Sequence, residues 1–454
     1  MDHRSHIDVQ QFIDSHPFSR FQKTILLLCF LVVLVDGFDT ASIGFIAPAI
    51  RDEWHLSSAA LAPLFGAGLF GLMSGALLFG PLADKVGRKP VLVLSVLFFG
   101  LASAASMFSP NLLTLIALRF LTGVGLGGAM PSAITLTSEY CPQPRRARLV
   151  TLMFCGFTVG SALGGLVSVQ LLPHVGWRGV LLVGGAMPLL LALGLKVLLA
   201  ESLRFLVLSD RKPAAVQAIV ARIAGAGAGM PDFIVGEAKI KSPVRELFRG
   251  RLAAGTLLIW ASFFMSLLIV YLLSSWLPIL LNSTGISLSR ASLVTAMFQV
   301  GGTVGAILLG RLMDRFGATR TLSLSYLAGA AFIGLCSVST GQFAALMLAV
   351  FGIGFCISGG QVGANAMAAA FYPTGNRATG VSWSNAVGRC GSVLGSLSGG
   401  WLLAMHLPIA HILLLLTFPS LIAALAIAVL GRVKAHIVAQ GTPEAVATLG
   451  TPAN

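Results

Sequence analysis

The chain has 454 residues, of which 56% are hydrophobic and only 10% charged, and its formal net charge is +14. A soluble domain carries about 25% charged residues, so this composition excludes a soluble globular protein and identifies a polytopic membrane protein. The positive charge does not signal nucleic-acid binding, because the cations gather on one side of the spans described next.

Residues 1–23 form a polar tail with Asp2, Asp8 and Asp14, unlike the basic start and short apolar run of a cleaved signal, so the first span is expected to stay. Apolar stretches then recur near 24–50, 59–79, 91–108, 112–138, 148–171, 177–199, 253–281, 289–312, 320–339, 342–371, 378–403 and 407–431. Each approaches or exceeds the roughly 18–20 residues that a helix needs to cross hydrocarbon. The expected fold is therefore an all-α membrane protein with twelve transmembrane helices. A β-barrel is excluded, since its strands would alternate over about ten residues. Residues 200–252 are a polar interruption with nine Lys and Arg, and they divide the spans six and six. The expected organisation is an N-terminal tail (1–23), a six-helix half (24–199), a cytoplasmic loop (200–252), a second six-helix half (253–431) and a C-terminal tail (432–454). With the N-terminus inside, 24 of the 30 Lys and Arg are cytoplasmic, which places both termini inside.

Span 1 holds Asp36 and Asp39, whose i, i+3 spacing puts both carboxylates on one helix face. An acid near a bilayer centre costs at least about 2.5 kcal/mol, so such residues face a cavity and carry function. Proton carriage by the pair stands against a hydrogen-bonding role for one member. Span 2 ends in Gly80-Pro-Leu-Ala-Asp84-Lys85-Val-Gly87-Arg88-Lys89. Arg119 in span 4 lies about seven residues inside the outer end, hence about 10 Å deep, while Asp39 lies roughly 14 Å from the same surface, so the two could pair. The run Gly123-x-Gly125-x-Gly127-Gly128 has the form of a dinucleotide fingerprint, but no strand precedes it and close helix packing explains it. Below span 4, Glu139 with Arg145, Arg146 and Arg148 suggests an ion-pair cluster that changes with conformation.

The second half repeats the first. Gly80-Pro-Leu-Ala-Asp84-Lys85-Val-Gly87 returns as Gly310-Arg-Leu-Met-Asp314-Arg315-Phe-Gly317, and Gly160-Ser-Ala-Leu-Gly164 as Gly391-Ser-Val-Leu-Gly395. Such repeats suggest a substrate site between two rocking halves. In span 11, Arg389 lies near the midplane between Gly388 and Gly391, and no acid shares its span, which favours a carboxylate ligand. Gln361, Asn365, Trp383 and Asn385 add amides and an aromatic face, the set that a phenolic acid needs. Tyr271 in span 7 is a further candidate, open to a packing or interfacial reading.

The loop Gly80-x-x-x-Asp84-Lys85-x-Gly87-Arg88-Lys89 resembles the loop 2–3 signature of the major facilitator superfamily. More narrowly, Asp36-Gly-Phe-Asp39-Thr-Ala with Gly44-Phe-Ile-Ala-Pro48, Glu201-Ser-Leu-Arg204-Phe-Leu, and Arg377-Ala-Thr-Gly380 resemble the aromatic acid:proton symporters, in particular bacterial carriers of 4-hydroxybenzoate, protocatechuate and benzoate. The second-half loop departs from the pattern, reading Gly317-Ala318-Thr319-Arg320. The resemblance implies that Arg119 takes part in proton coupling with Asp36 and Asp39, although a structural ion pair would also account for it. Gly80, Asp84, Gly87, Arg88, Glu139, Arg145, Asp314 and Arg315 are expected to bias conformation without meeting substrate.

The resulting expectation is an inner-membrane bacterial transporter that imports an aromatic acid anion with protons, as a monomer in the bilayer, using the proton gradient and no cofactor. A proton-coupled exporter of drugs or metabolites is the alternative, and a transporter-like ligand receptor the third reading. An enzyme is not expected, because all eight histidines fall in tails, loops or span ends, and no phosphate-binding loop occurs, so ATP is not the expected energy source. The six cysteines lack paired spacing, so no metal site or disulfide framework is indicated.

Overall fold

The computed structural model describes residues 6–209, 213–225, 232–234, 244–249, 252–339, 341–372, 377–405 and 407–439. The rest of the central loop, residues 373–376 and the end of the C-terminal tail lie outside the described residues. In hydrocarbon every backbone N–H and C=O must be satisfied within the protein, and the apolar runs accordingly close into helices. In chain order these are α1 (Val9–Asp14), α2 (Arg20–Glu53), α3 (Ala62–Val86), α4 (Arg88–Ser106), α5 (Leu112–Tyr140), α6 (Arg146–Leu198), α7 (Leu203–Ser209) and α8 (Pro213–Ala224). They continue as α9 (Leu252–Asn282), α10 (Leu288–Phe316), α11 (Ala318–Val338), α12 (Phe343–Ile353), α13 (Gly359–Phe371), α14 (Arg377–Ala404), α15 (Ile409–Leu415) and α16 (Thr417–Ala439).

Among the described residues, ten helices are long and apolar enough to cross a membrane. One of them, within α6, is broken at Gly176, whose φ of 66° and ψ of −171° leave the helical region, and the expected spans 5 and 6 run on either side of that break. A left-handed φ costs a glycine nothing sterically. Expected span 11 is α14, 28 residues long but diluted by Arg389, Asn385 and its serines and glycines. Expected span 10 is α12 and α13 joined through a π-helical turn, Gly354–Ser358.

The chain forms two compact units. The first comprises Met1–Ser42, Ala67–Ser161 and Val175–Lys239; the second comprises Ile43–Gly66, Ala162–His174 and Ile240–Asn454. The end of α2 from Ile43, the start of α3 up to Gly66 and the middle of α6 thus belong to the second unit. Within that unit Phe65 packs edge-on against Trp276 at 4.8 Å, and Arg51 donates to Asn282 Oδ1 at 3.2 Å.

The central loop is more than a linker. In α8, Val216, Ile219, Val220 and Ile223 follow i, i+3, i+4, i+7 spacing, the mark of an apolar helix face, and all four are buried in one cluster with Phe12 and Ile13 of α1. The three-residue strands His6–Asp8 and Asp232–Ile234 pair in parallel, His6 opposite Asp232. The tail also binds the end of α5: Gln22 donates to the Tyr140 carbonyl at 2.9 Å, and Asp14 accepts from the Gln143 backbone N–H at 2.7 Å. Tail and loop therefore share the core of the first unit.

The internal repeat is visible in the packing. A Cβ at Gly71 or Gly75 of α3 would overlap the backbone of Phe120 or Val124 of α5, and one at Gly301 or Gly305 of α10 would overlap the backbone of Phe351 or Phe355. Gly160 of α6 lies against the Leu34 backbone of α2, and Gly391 of α14 lies against the Phe264 backbone of α9. Small residues at matching positions let the same helix pairs approach closely in both halves, which is why the glycines recur at fixed offset. All six cysteines are free. Burial pushes the Cys141 thiol up to about 11, in keeping with a packing role.

Candidate functional site

The first unit holds a buried ion pair. Arg119 Nη1 of α5 donates to both carboxylate oxygens of Asp39 of α2, at 3.0 and 3.2 Å, and each side chain is only 4% exposed. Ser103 of α4 donates to Asp39 Oδ1 at 2.7 Å and accepts from Arg119 Nη2 at 3.1 Å. Ser106 and Thr122 also accept from Nη2, at 3.3 and 3.2 Å, while Arg119 Nε is buried without a hydrogen-bond partner. The pairing foreseen from helix depths is present, within a shell of three hydroxyls. Asp36 is equally buried and accepts from Thr40 at 3.2 Å. Asp39 is thus the acid that receives both bonds from the Arg119 Nη1 group.

A second polar group lies in the other unit. Arg389 Nη1 donates to the Tyr271 hydroxyl at 2.8 Å, so the tyrosine that sequence left open joins α9 to α14 here. Asn385, one turn before Arg389, donates to Asn365 Oδ1 of α13 at 3.1 Å. Gln361 is one turn before Asn365, and its Oε1 is buried with no hydrogen-bond partner. The π-helical turn just ahead of α13 sets the phase of Gln361 and Asn365. Such turns carry an extra residue and occur frequently at functional sites. Trp383 does not join this group. It lies two residues from Asn385, on the opposite side of α14, stacked on Trp260 at 6.0 Å and 42% exposed.

At the junction between α3 and α4, Gly87 closes one helix and opens the next with φ +113°. A Cβ there would overlap the Glu201 carboxylate. Glu201 Oε1 accepts from the backbone N–H of Arg88 at 2.9 Å and of Lys89 at 3.2 Å, capping the positive end of α4. Its carbonyl accepts from the Tyr140 hydroxyl. Arg88 bonds Asp84 at 2.9 Å and lies 4.0 Å from Glu139. Arg145 is exposed and Arg146 turns away to Gln10, while Arg88 lies in an ion pair with Glu139 and the charge of Arg204 also acts on that carboxylate. Gly80 has open space around it. In the second half, the Arg315 guanidinium lies over the Phe316 ring at 5.2 Å, and Asp314 is exposed with no ion pair among the described residues.

Ser103, Ser106, Thr122 and Glu201 are the residues that sequence reasoning did not place in a site. A serine in an apolar helix is common as packing, so the hydroxyls gave no signal alone. Glu201 did, since it is an acid at the start of the polar loop within a motif already noted for its resemblance.

Long apolar helices, an internal repeat and buried charges within the spans define a membrane transporter. The family profile described as Major Facilitator Superfamily matches residues 29–287 and 259–449, and the chain belongs to that superfamily. It is 45% identical over 434 residues to a protein named gallate transporter from Pseudomonas putida, covering 94% of this chain and 96% of the relative. It is 46% identical over 432 residues to the 4-hydroxybenzoate transporter PcaK of Pseudomonas aeruginosa, with the same coverage. Among solved structures it resembles a D-xylose-proton symporter with a TM-score of 0.69, at 20% identity, over 89% of this chain and 97% of that one, which shows the shared fold. The chain is a transporter and not an enzyme.

Proposed function

We propose that the chain is a proton-coupled importer of an aromatic carboxylate of the 4-hydroxybenzoate, protocatechuate or benzoate type. It works by alternating access in the bacterial inner membrane, with twelve spans and both ends in the cytoplasm. The observation that carries the reading is the Asp39–Arg119 pair at 3.0 Å, buried on both sides. Removing one partner of a buried pair costs about 3–5 kcal/mol because the other charge is left uncompensated. A proton arriving on Asp39 therefore forces the Arg119 shell to rearrange, and Ser103, Ser106 and Thr122 are placed to hold the guanidinium while it does. Protonation is thereby tied to the packing of α2, α4 and α5. Arg389 supplies the planar fork for the substrate carboxylate, and the names of the two relatives support an aromatic acid as substrate. The proton gradient is the energy source, one chain is the working unit, and no cofactor takes part.

The test is uptake of labelled benzoate, 4-hydroxybenzoate, protocatechuate and a sugar into proteoliposomes, with and without an imposed pH gradient. Gradient-driven accumulation of an aromatic acid, with the sugar excluded, is the expected result. Uptake that ignores the gradient would remove the coupling, and efflux against it would favour export.

A further inference from the structure

Asn385 and Arg389 share one face of α14, four residues and therefore about 6 Å of helical rise apart. Asn385 Nδ2 donates to Asn365 Oδ1 at 3.1 Å and to the Val381 carbonyl at 3.0 Å. Asn365 Nδ2 donates to the Gln361 carbonyl at 3.0 Å. An asparagine amide has two N–H donors and one oxygen with two lone pairs. These bonds use both donors of Asn385 and one donor of Asn365. They leave the Asn385 oxygen as an acceptor and the second Asn365 N–H as a donor, on bonded neighbours that are both half-buried.

An acceptor beside a donor is the complement of a hydroxyl, which gives one proton and receives one. One turn away stands a guanidinium suited to a carboxylate. The rise between the two is comparable with the length of a benzene ring bearing an acid at one end and an oxygen directly opposite. A meta hydroxyl leaves that axis, and an unsubstituted ring presents only C–H to the amides. Trp383, on the other side of α14, leaves the selection to the amides.

We propose that Asn365 and Asn385 read a para hydroxyl on the aromatic acid whose carboxylate Arg389 holds, so that the chain selects para-hydroxylated acids over benzoate. The proposal rests on the aromatic-acid reading above and narrows it. A neutral hydrogen bond contributes about 0.5–1.5 kcal/mol net, so the hydroxyl gains up to about tenfold in affinity.

The experiment is competition against labelled 4-hydroxybenzoate in proteoliposomes, with binding to the purified full chain measured by calorimetry. Unlabelled 4-hydroxybenzoate, 3-hydroxybenzoate and benzoate are the competitors. In the wild type, 4-hydroxybenzoate should exceed both others by about five- to tenfold. In Asn385→Ala and in Asn365→Ala, the 4-hydroxybenzoate to benzoate ratio should fall to within about twofold. Asn385→Ser is read alongside, so that a variant that does not fold leaves the ratio measurable. A ratio unchanged in the folded variants overturns the proposal, as does equal affinity for all three acids in the wild type, while aromatic-acid transport itself stands. Failure of the wild type to bind any of the three overturns both.

Discussion

Asp39→Asn keeps the shape of the side chain and removes the charge that Arg119 faces. Arg119 would then keep the three hydroxyls on Nη2, at 3.1, 3.3 and 3.2 Å, but meet a neutral amide at Nη1. An uncompensated buried charge costs about 3–5 kcal/mol, and because those hydroxyls remain, the loss should lie near the lower end, about 3 kcal/mol. Arg119→Gln leaves Asp39 with Ser103 at 2.7 Å as its donor, so its loss should lie nearer the upper end. The double variant buries neither charge and should recover at least about 2 kcal/mol relative to the sum of the two, the signature of directly coupled residues. Thermal unfolding in detergent reads this cycle. In proteoliposomes, Asp39→Asn should abolish gradient-driven accumulation while substrate exchange at equilibrium persists, since the amide cannot carry a proton. Additive losses in the cycle, or full accumulation by Asp39→Asn, would refute the reasoning.

Gly87→Ala combines a positive φ of 113° at ψ 160°, a conformation essentially confined to glycine that costs about 1–3 kcal/mol, with displacement of the Glu201 carboxylate from the start of α4. Turnover should fall several-fold with equilibrium substrate affinity nearly unchanged, and a large affinity loss at unchanged turnover would count against a conformational role. Ser103→Ala removes the hydroxyl that bridges Asp39 and Arg119, so gradient-driven accumulation should fall several-fold, and Ser103→Thr should restore it; equal accumulation by all three proteins would leave Ser103 as packing. For Arg389, replacement by Ala should cost roughly ten- to hundredfold in 4-hydroxybenzoate affinity, and replacement by Lys less, because the charge survives without the fork. With 4-hydroxybenzamide as ligand the Arg389 effect should shrink, and calorimetry showing equal losses for acid and amide would make Arg389 structural.

The architecture was legible because bilayer physics allows few solutions. Apolar length gave the long helices, and the repeated motifs gave the internal repeat. The meaning of the glycines as helix contacts appears only in three dimensions, where Gly71 and Gly301 meet the backbones of Phe120 and Phe351. Charged site residues stood out for the same reason, since Asp39, Arg119 and Arg389 are costly in hydrocarbon. Neutral polar residues did not. Ser103 is one of several serines in α4, and only the positions of Asp39 and Arg119 single it out. The π-helical turn was hidden because a run such as Gly354-Phe-Cys-Ile-Ser358 reads as ordinary helix. The central loop misled in the other direction: its charges marked it as polar, while the spacing of Val216, Ile219, Val220 and Ile223 already carried an amphipathic helix that needed a core.

The two signature loops show how far the repeat extends. Gly87 and Gly317 hold equivalent junctions, and both have positive φ, +113° and +85°. The backbone turn has therefore been kept in each half. Around Gly87 a Cβ would meet Glu201 and Phe205, whereas around Gly317 there is nothing within 4 Å. The first loop has the carboxylate that receives the Arg88 and Lys89 backbone N–H groups, whereas the space a Cβ would take at Gly317 is open. The divergence in sequence, Gly-Arg-Lys in one loop and Gly317-Ala318-Thr319-Arg320 in the other, thus has a physical counterpart. A glycine at a helix junction serves chain geometry in both halves, but a carboxylate pinned to a helix start can be released, and only such a contact can distinguish two conformations. The first loop has such a contact within its own unit, from Glu201 of the central loop. This brings Glu201, at the start of the central loop and within the first unit, to the junction that the signature is expected to use.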